Sequence, residues 1–157
     1  MFFEAKISDD VLQKLDWALA LETSAGNFVE PNSSCTKNGL QTNTIHENSR
    51  YKTLLDDLLI SLPNEFHSYK YRWFHLIDYK RGGWQEQHDH SRTEDFSFIV
   101  YLTTCASGGK TFFHISDSTT LVCSPVRGTM IAFPATVTHW GEEVVDPKQV
   151  AVGALIR

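Results

Sequence analysis

Seven histidines are spread along the 157 residues: His46, His67, His75, His88, His90, His114 and His139. Most sit alone, and a lone histidine is usually a surface or packing residue. His46 and His67 lie in polar stretches, and His75 falls in a strand-like run that suits a satisfied core imidazole. His88-Asp89-His90 differs. Two imidazoles at i and i+2 on a strand project to one face and can reach one ion. Imidazole suits iron, zinc, copper and nickel. The preceding segment, Tyr79 to Gln87, is polar and glycine-rich, as expected of a strand leading into an accessible mouth. A distant His139 follows Gly128-Thr129-Met130-Ile131-Ala132-Phe133-Pro134, which reads as a turn, a strand and a proline at a strand edge. A third imidazole delivered from a late strand would close a facial three-ligand site. Such a site leaves coordination positions open and is typical of non-haem iron oxygenases, whose usual set is two histidines and one carboxylate.

The rest of the chain must position these residues. Its 41% hydrophobic and 12% aromatic content is ample for a core, which excludes global disorder. The length suits one domain, with residues 1–70 expected as helical support plus a long loop and 71–157 as a β core. Ser8 can cap a helix in which Val11, Leu12, Leu15, Ala18 and Leu19 recur at helical spacing. Residues 24–47 are rich in Ser, Asn, Thr and Gly without periodicity and read as a long loop, either a lid or a disordered surface connection. Tyr51, Leu54, Leu55, Leu58, Leu59 and Leu62 form the stripe of a second helix that Pro63 ends. From Tyr71 onward come short β-rich runs: 71–79, 96–102, 111–115, 120–123, 129–133 and 150–156. Turn signals at Gly82-Gly83, Gly108-Gly109 and Pro125 to Gly128 separate them. Strands follow strands, so a parallel α/β sheet is excluded. An antiparallel barrel or sandwich with two helices packed outside is expected.

The net charge of −5 argues against a mainly electrostatic nucleic-acid binder. The three cysteines, Cys35, Cys105 and Cys123, form no CxxC pair and read as reduced thiols. The start, Met1-Phe2-Phe3-Glu4-Ala5-Lys6, turns charged too soon for a signal peptide, and no apolar run approaches the ~20 residues of a membrane span. A cytoplasmic protein without membrane association is expected. No oligomeric state follows from these features.

In residues 71–157 the sequence resembles the Fe(II)/2-oxoglutarate-dependent dioxygenases, nearest to their prolyl 4-hydroxylase-like branch. Tyr79-x-x-Gly82-Gly83-x4-His88 matches the family's approach to its first iron ligand. Phe98-Ile99-Val100-Tyr101-Leu102 followed by Gly108-Gly109-Lys110-Thr111-Phe112-Phe113 resembles its strand, Gly-Gly turn and strand. Gly128 to Pro134 and then His139 resembles the segment carrying its distal histidine. The resemblance implies a mainly β fold, a double-stranded β-helix (jelly-roll, cupin-like) packed by two N-terminal α-helices. It implies Fe(II) on His88, His90 and His139, with 2-oxoglutarate and O₂ as co-substrates and ascorbate as a stimulant. Lys148, nine residues after His139, takes the place of the basic residue that binds the far carboxylate of 2-oxoglutarate. Tyr79 and Tyr101 align with tyrosines that contact that co-substrate. The reaction implied is hydroxylation of a C–H bond with release of succinate and CO₂. The substrate implied is a peptide or protein side chain, with proline the nearest guess, or a small molecule. Trp84, Arg92 and Trp140 flank the ligands and are the candidate substrate contacts.

One departure matters. The family's first motif ends in a carboxylate, and this chain has His90 there. His90 as a third imidazole is the favoured reading. Glu94 or Asp95 swinging in, or a degenerate site, are the others. A rival resemblance follows, because Gly82-x5-His88-x-His90-x3-Glu94 also matches a cupin motif. Gly128-x5-Pro134-x4-His139 matches the second cupin motif in part, with Thr136 and Glu143 out of pattern. That reading binds one metal through His88, His90, Glu94 and His139 and needs no 2-oxoglutarate. A non-catalytic metal- or sugar-binding β-domain is the third class.

Overall fold

The computed structural model describes residues 2–31, 35–90 and 93–157. A short strand, β1 (Phe3–Lys6), precedes helix α1 (Asp9–Ser24), strand β2 (Thr36–Gln41) and helix α2 (Lys52–Ile60). The remaining strands are β3 (Lys70–His88), β4 (Phe96–Tyr101), β5 (Thr111–Ser116), β6 (Thr119–Cys123), β7 (Thr129–Pro134), β8 (His139–Gly141) and β9 (Lys148–Ile156). All pairings are antiparallel, in the order β1-β7-β4-β9-β3-β8-β5-β6, with β2 added on β3. This is the curled sheet of a double-stranded β-helix with two helices packed on it, as expected.

The central strands are buried on both faces, so they read as continuous apolar runs rather than alternating ones. In β4, Phe98 and Val100 turn toward the helices, where they meet Leu15, Tyr51, Leu54 and Leu58. Ile99 and Tyr101 turn the other way, into an inner cluster with Ile77, Tyr79, Phe113 and Phe133. Each such Leu or Phe contributes about 1.5–3 kcal/mol by leaving water, and the helices thereby brace the outside of the barrel wall. Ser8 caps α1 by accepting from the Val11 N–H at 3.3 Å, and α2 is preceded by a 3₁₀ turn over Ser49–Tyr51. No helix among the described residues is long and apolar enough to cross a membrane.

Two local expectations need correction. Residues 24–47 are not one loop, because β2 runs through them and pairs with β3. Its sequence, Thr-Lys-Asn-Gly-Leu-Gln, has no apolar alternation; its partner strand specifies it. The expected strand over 71–79 continues to His88, so Gly82-Gly83 bends a strand instead of ending one. Gly82 has φ +82°, and a Cβ on Gly83 would stand 2.6 Å from the Asn38 carbonyl oxygen and 2.8 Å from that of Lys80. Only glycine lets β2 approach this closely. β1 and β8, of four and three residues, are too short to register as sequence patterns.

Candidate metal centre

β3 ends on His88 and β8 begins on His139, and the two are Cα partners across the β3–β8 pair. Their ring centroids stand 4.2 Å apart. His90 completes the group, 4.7 Å from His88 and 5.2 Å from His139 by ring centroid. It does so differently from the expected i, i+2 strand pair. The strand has already ended, and the His90 N–H is tied to the Ala135 carbonyl at 2.8 Å. The reason is the edge of the barrel: past His88 the chain leaves β8 for the segment after β7. One nitrogen from each of the three rings lies within 4.8 Å of the others.

The tautomers are set from behind. His88 Nδ1 is 2.7 Å from the Glu86 carbonyl oxygen and His139 Nδ1 is 3.1 Å from that of Val137. A carbonyl only accepts, so each Nδ1 carries its proton and leaves the Nε2 lone pair for an ion. Burial pushes the imidazoles below their ordinary range, His139 to about 3 and His90 to about 4, with the neighbouring imidazoles adding to the effect. His88 is lowered by burial too. Neutral imidazole is the ligating form, so the donor set fits a divalent ion.

Lys148 opens β9 and is 4% exposed. Its Nζ lies 4.9 Å from the Tyr79 ring centre and 5.9 Å from that of Tyr101. Burial pulls its pKa down to about 8. Among the described residues no carboxylate lies within ion-pair distance of it. A buried ammonium set between two ring faces, with Glu142 and the Cys105 and Cys123 thiols acting only beyond ion-pair distance, is stabilised when an anion joins it, so the pocket suits the far carboxylate of a dicarboxylate. Tyr101 donates from its hydroxyl to Thr111 Oγ1 at 2.7 Å, and the Tyr79 hydroxyl bonds with Thr36 of β2.

Other candidates fall elsewhere. Glu94 is buried and outside the three-histidine group, with Oε1 3.0 Å from His90 Nδ1. It stands behind His90 rather than among the three rings. Asp95 faces the other way, accepting from the Arg157 N–H at 3.0 Å. Trp140 stacks on Phe112 at 5.4 Å and 8°. Because Phe112 pairs with Trp140 and Phe113 with His139, strand alternation sets that stack on the face opposite His139. Trp84 is exposed and borders a surface hollow with Gly82, Gly141, Glu142 and Glu143. Arg92 lies outside the described residues. His46 and His67 bond to Thr44 and to the Leu62 carbonyl, apart from the site. His75 bonds the Thr42 carbonyl at 2.9 Å, as a satisfied core imidazole would. The three cysteines are free. Trp73 was not foreseen. Its ring lies 5.6 Å from His90 and 5.1 Å from His75. With Gln85, Ser97 and Phe133 it lines a cavity of about 40 Å³ against His90 and His139. Its i, i+2 spacing from His75 was the available signal.

The sequence matches no family model and no curated protein. Solved structures do match the fold. A Pseudomonas putida prolyl-4-hydroxylase superposes with a TM-score of 0.78 at 16% identity, over 99% of this chain and 92% of that one. A Trichoplax adhaerens prolyl hydroxylase in complex with a hypoxia inducible factor oxygen degradation domain peptide fragment gives 0.76 at 9% identity, over 99% and 83%. A viral collagen prolyl hydroxylase from Paramecium Bursaria Chlorella virus-1, in its 2OG complex, gives 0.72 at 15%, over 98% and 94%. The fold is therefore that of the 2-oxoglutarate/Fe(II) oxygenases, in the form its prolyl 4-hydroxylase-like branch takes.

Proposed function

We propose that the protein is an Fe(II)- and 2-oxoglutarate-dependent oxygenase that hydroxylates a C–H bond of a peptide or protein side chain. The observation that carries this reading is Lys148. A cupin-type site or an inert β-domain has no use for a buried ammonium without an anion, whereas a 2-oxoglutarate site requires one.

His88, His90 and His139 would hold the iron through Nε2. Three neutral ligands leave the centre one charge more positive than a set with a carboxylate, which suits a dianionic co-substrate. Lys148 would hold the far carboxylate as a point charge, with the Tyr79 and Tyr101 rings fixing its height and excluding water. Bound together, iron and 2-oxoglutarate supply oxidative decarboxylation with O₂, giving succinate, CO₂ and one hydroxylated C–H bond. Ascorbate would keep the iron reduced. Trp73 walls the cavity beside His90 and His139, and is our candidate for substrate contact ahead of Trp84 and Trp140. The peptide bound to the Trichoplax adhaerens enzyme of the same fold supports a peptide substrate, with proline as the first residue to try.

The test is co-substrate turnover. With Fe(II), ascorbate and O₂, the protein should convert 2-oxoglutarate to succinate, faster when an acceptor peptide is present. A metal-dependent product formed without 2-oxoglutarate would favour the cupin-type reading.

A further inference from the structure

The Glu94 side chain is fully buried. Its Oε2 accepts from the Thr93 hydroxyl, and the Trp73 side chain hydrogen-bonds to the carboxylate as well. Its Oε1 is buried, has no aligned hydrogen-bond donor, and stands 3.0 Å from His90 Nδ1. The chain is folded back to make this contact, since the Thr93 and Glu94 N–H groups both approach the His90 carbonyl, at 3.2 and 3.4 Å. The histidine backed by this carboxylate is the one that stands where the resembled family has a carboxylate ligand.

We infer that Glu94 is a positioning residue that supplies, one bond further from the metal, the negative charge that His90 removes from the coordination sphere. This rests on the metal site proposed above and deepens it. An Nδ1–H donated to a carboxylate fixes the ring orientation, leaves Nε2 as the ligating atom and makes it a stronger donor. The Nδ1 atoms of His88 and His139 face the neutral carbonyls of Glu86 and Val137, so among the described residues His90 is the ring with a carboxylate directly behind its Nδ1. A small turn of the His90 ring toward Oε1 straightens the hydrogen bond, and ligation at Nε2 holds it. Thr93 and Trp73 keep the carboxylate from swinging into the site itself.

The experiment is a Co(II) titration of the full chain followed by visible absorption. Glu94→Gln should weaken Co(II) by about 10–100-fold, the usual effect of losing such a partner, with the band pattern of the bound ion unchanged. The same change in a His90→Asp background should cost far less, because the introduced carboxylate then places the charge on the ion itself and no imidazole Nδ1 remains for Glu94 to back. That difference separates charge delivery through His90 from a structural role, which would weaken binding equally in both backgrounds. Unchanged affinity in Glu94→Gln, or equal weakening in both backgrounds, would overturn the inference. So would an altered band pattern, which would make Glu94 a direct ligand. If the wild-type chain bound no Co(II) at all, the metal site itself would fall, and with it the proposed function.

Discussion

His88 and His139 are register partners at the end of one strand and the start of another, with rings 4.2 Å apart. Neither depends on a loop for its place, so two of the three rings of the candidate metal centre are held by the ladder itself. His139→Ala should therefore abolish binding of one Fe(II) per chain while the far-ultraviolet circular dichroism stays that of the wild type. Metal analysis after anaerobic loading checks this, and full metal content in the variant would remove His139 from the site.

Under the proposed function, the burial of Lys148 serves a ligand rather than the fold. Lys148→Met removes the charge and keeps the stem, so it should stabilise the ligand-free protein by about 0.5–2 kcal/mol, the scale typical when a functional strain is relieved. It should also weaken 2-oxoglutarate at least tenfold and leave metal affinity unchanged. Urea unfolding and calorimetric titration give the two readings. Lower stability with intact 2-oxoglutarate binding would contradict the assignment.

The same lysine predicts a pH dependence. In the proposed site the ammonium form would bind the dicarboxylate, and burial lowers its pKa in the ligand-free protein to about 8. The apparent affinity for 2-oxoglutarate should hold from neutral pH to about 8 and then weaken as pH rises. Binding measured at pH 7 and pH 9 tests this, and equal affinities would count against a charged Lys148.

Acid stability follows from the buried imidazoles. In the unfolded chain a histidine takes up its proton below about 6.5. In the folded, metal-free protein His90 and His139 resist until about 4 and 3. Between these limits the unfolded state binds more protons, so stability falls as pH falls, by about 1–2 kcal/mol per imidazole at pH 5. Urea midpoints at pH 7 and pH 5 measure it, and His139→Gln should flatten the slope. An unchanged slope would place the titrating group elsewhere.

Gly83 joins the site to the strand beneath it. A Cβ there would stand 2.6 Å from the Asn38 carbonyl oxygen, so Gly83→Ala must push β2 away from β3 and lift Thr36 from Tyr79. A loss of about 1–3 kcal/mol is expected, together with weaker 2-oxoglutarate binding. Thermal unfolding at wild-type temperature would show that β2 moves freely.

Much of this architecture was legible in the sequence because its signals are local. The Leu54, Leu55 and Leu58 stripe, the apolar runs of β4, β7 and β9, and the order of Gly82, His88, His139 and Lys148 all survive without tertiary information. What was missed depends on partners. β2 is polar and exists through its ladder with β3, and β8 is three residues between two strands. His90 reaches the site from beyond the strand, so its alternation with His88 led to the right grouping through the wrong geometry. The spacing of Glu94 from His90 announced a metal ligand rather than a residue behind one, and Trp73 offered only its i, i+2 spacing from His75; folding is what puts both beside His90.

The most direct test of the account is anaerobic. Fe(II) is added to the metal-free protein, then 2-oxoglutarate, and the visible spectrum is followed for the charge-transfer band of the iron–2-oxoglutarate chelate. The account predicts that the band appears with one equivalent of each, is lost in His139→Ala, and requires far more 2-oxoglutarate in Lys148→Met. Tight iron binding with no band at saturating 2-oxoglutarate would contradict it.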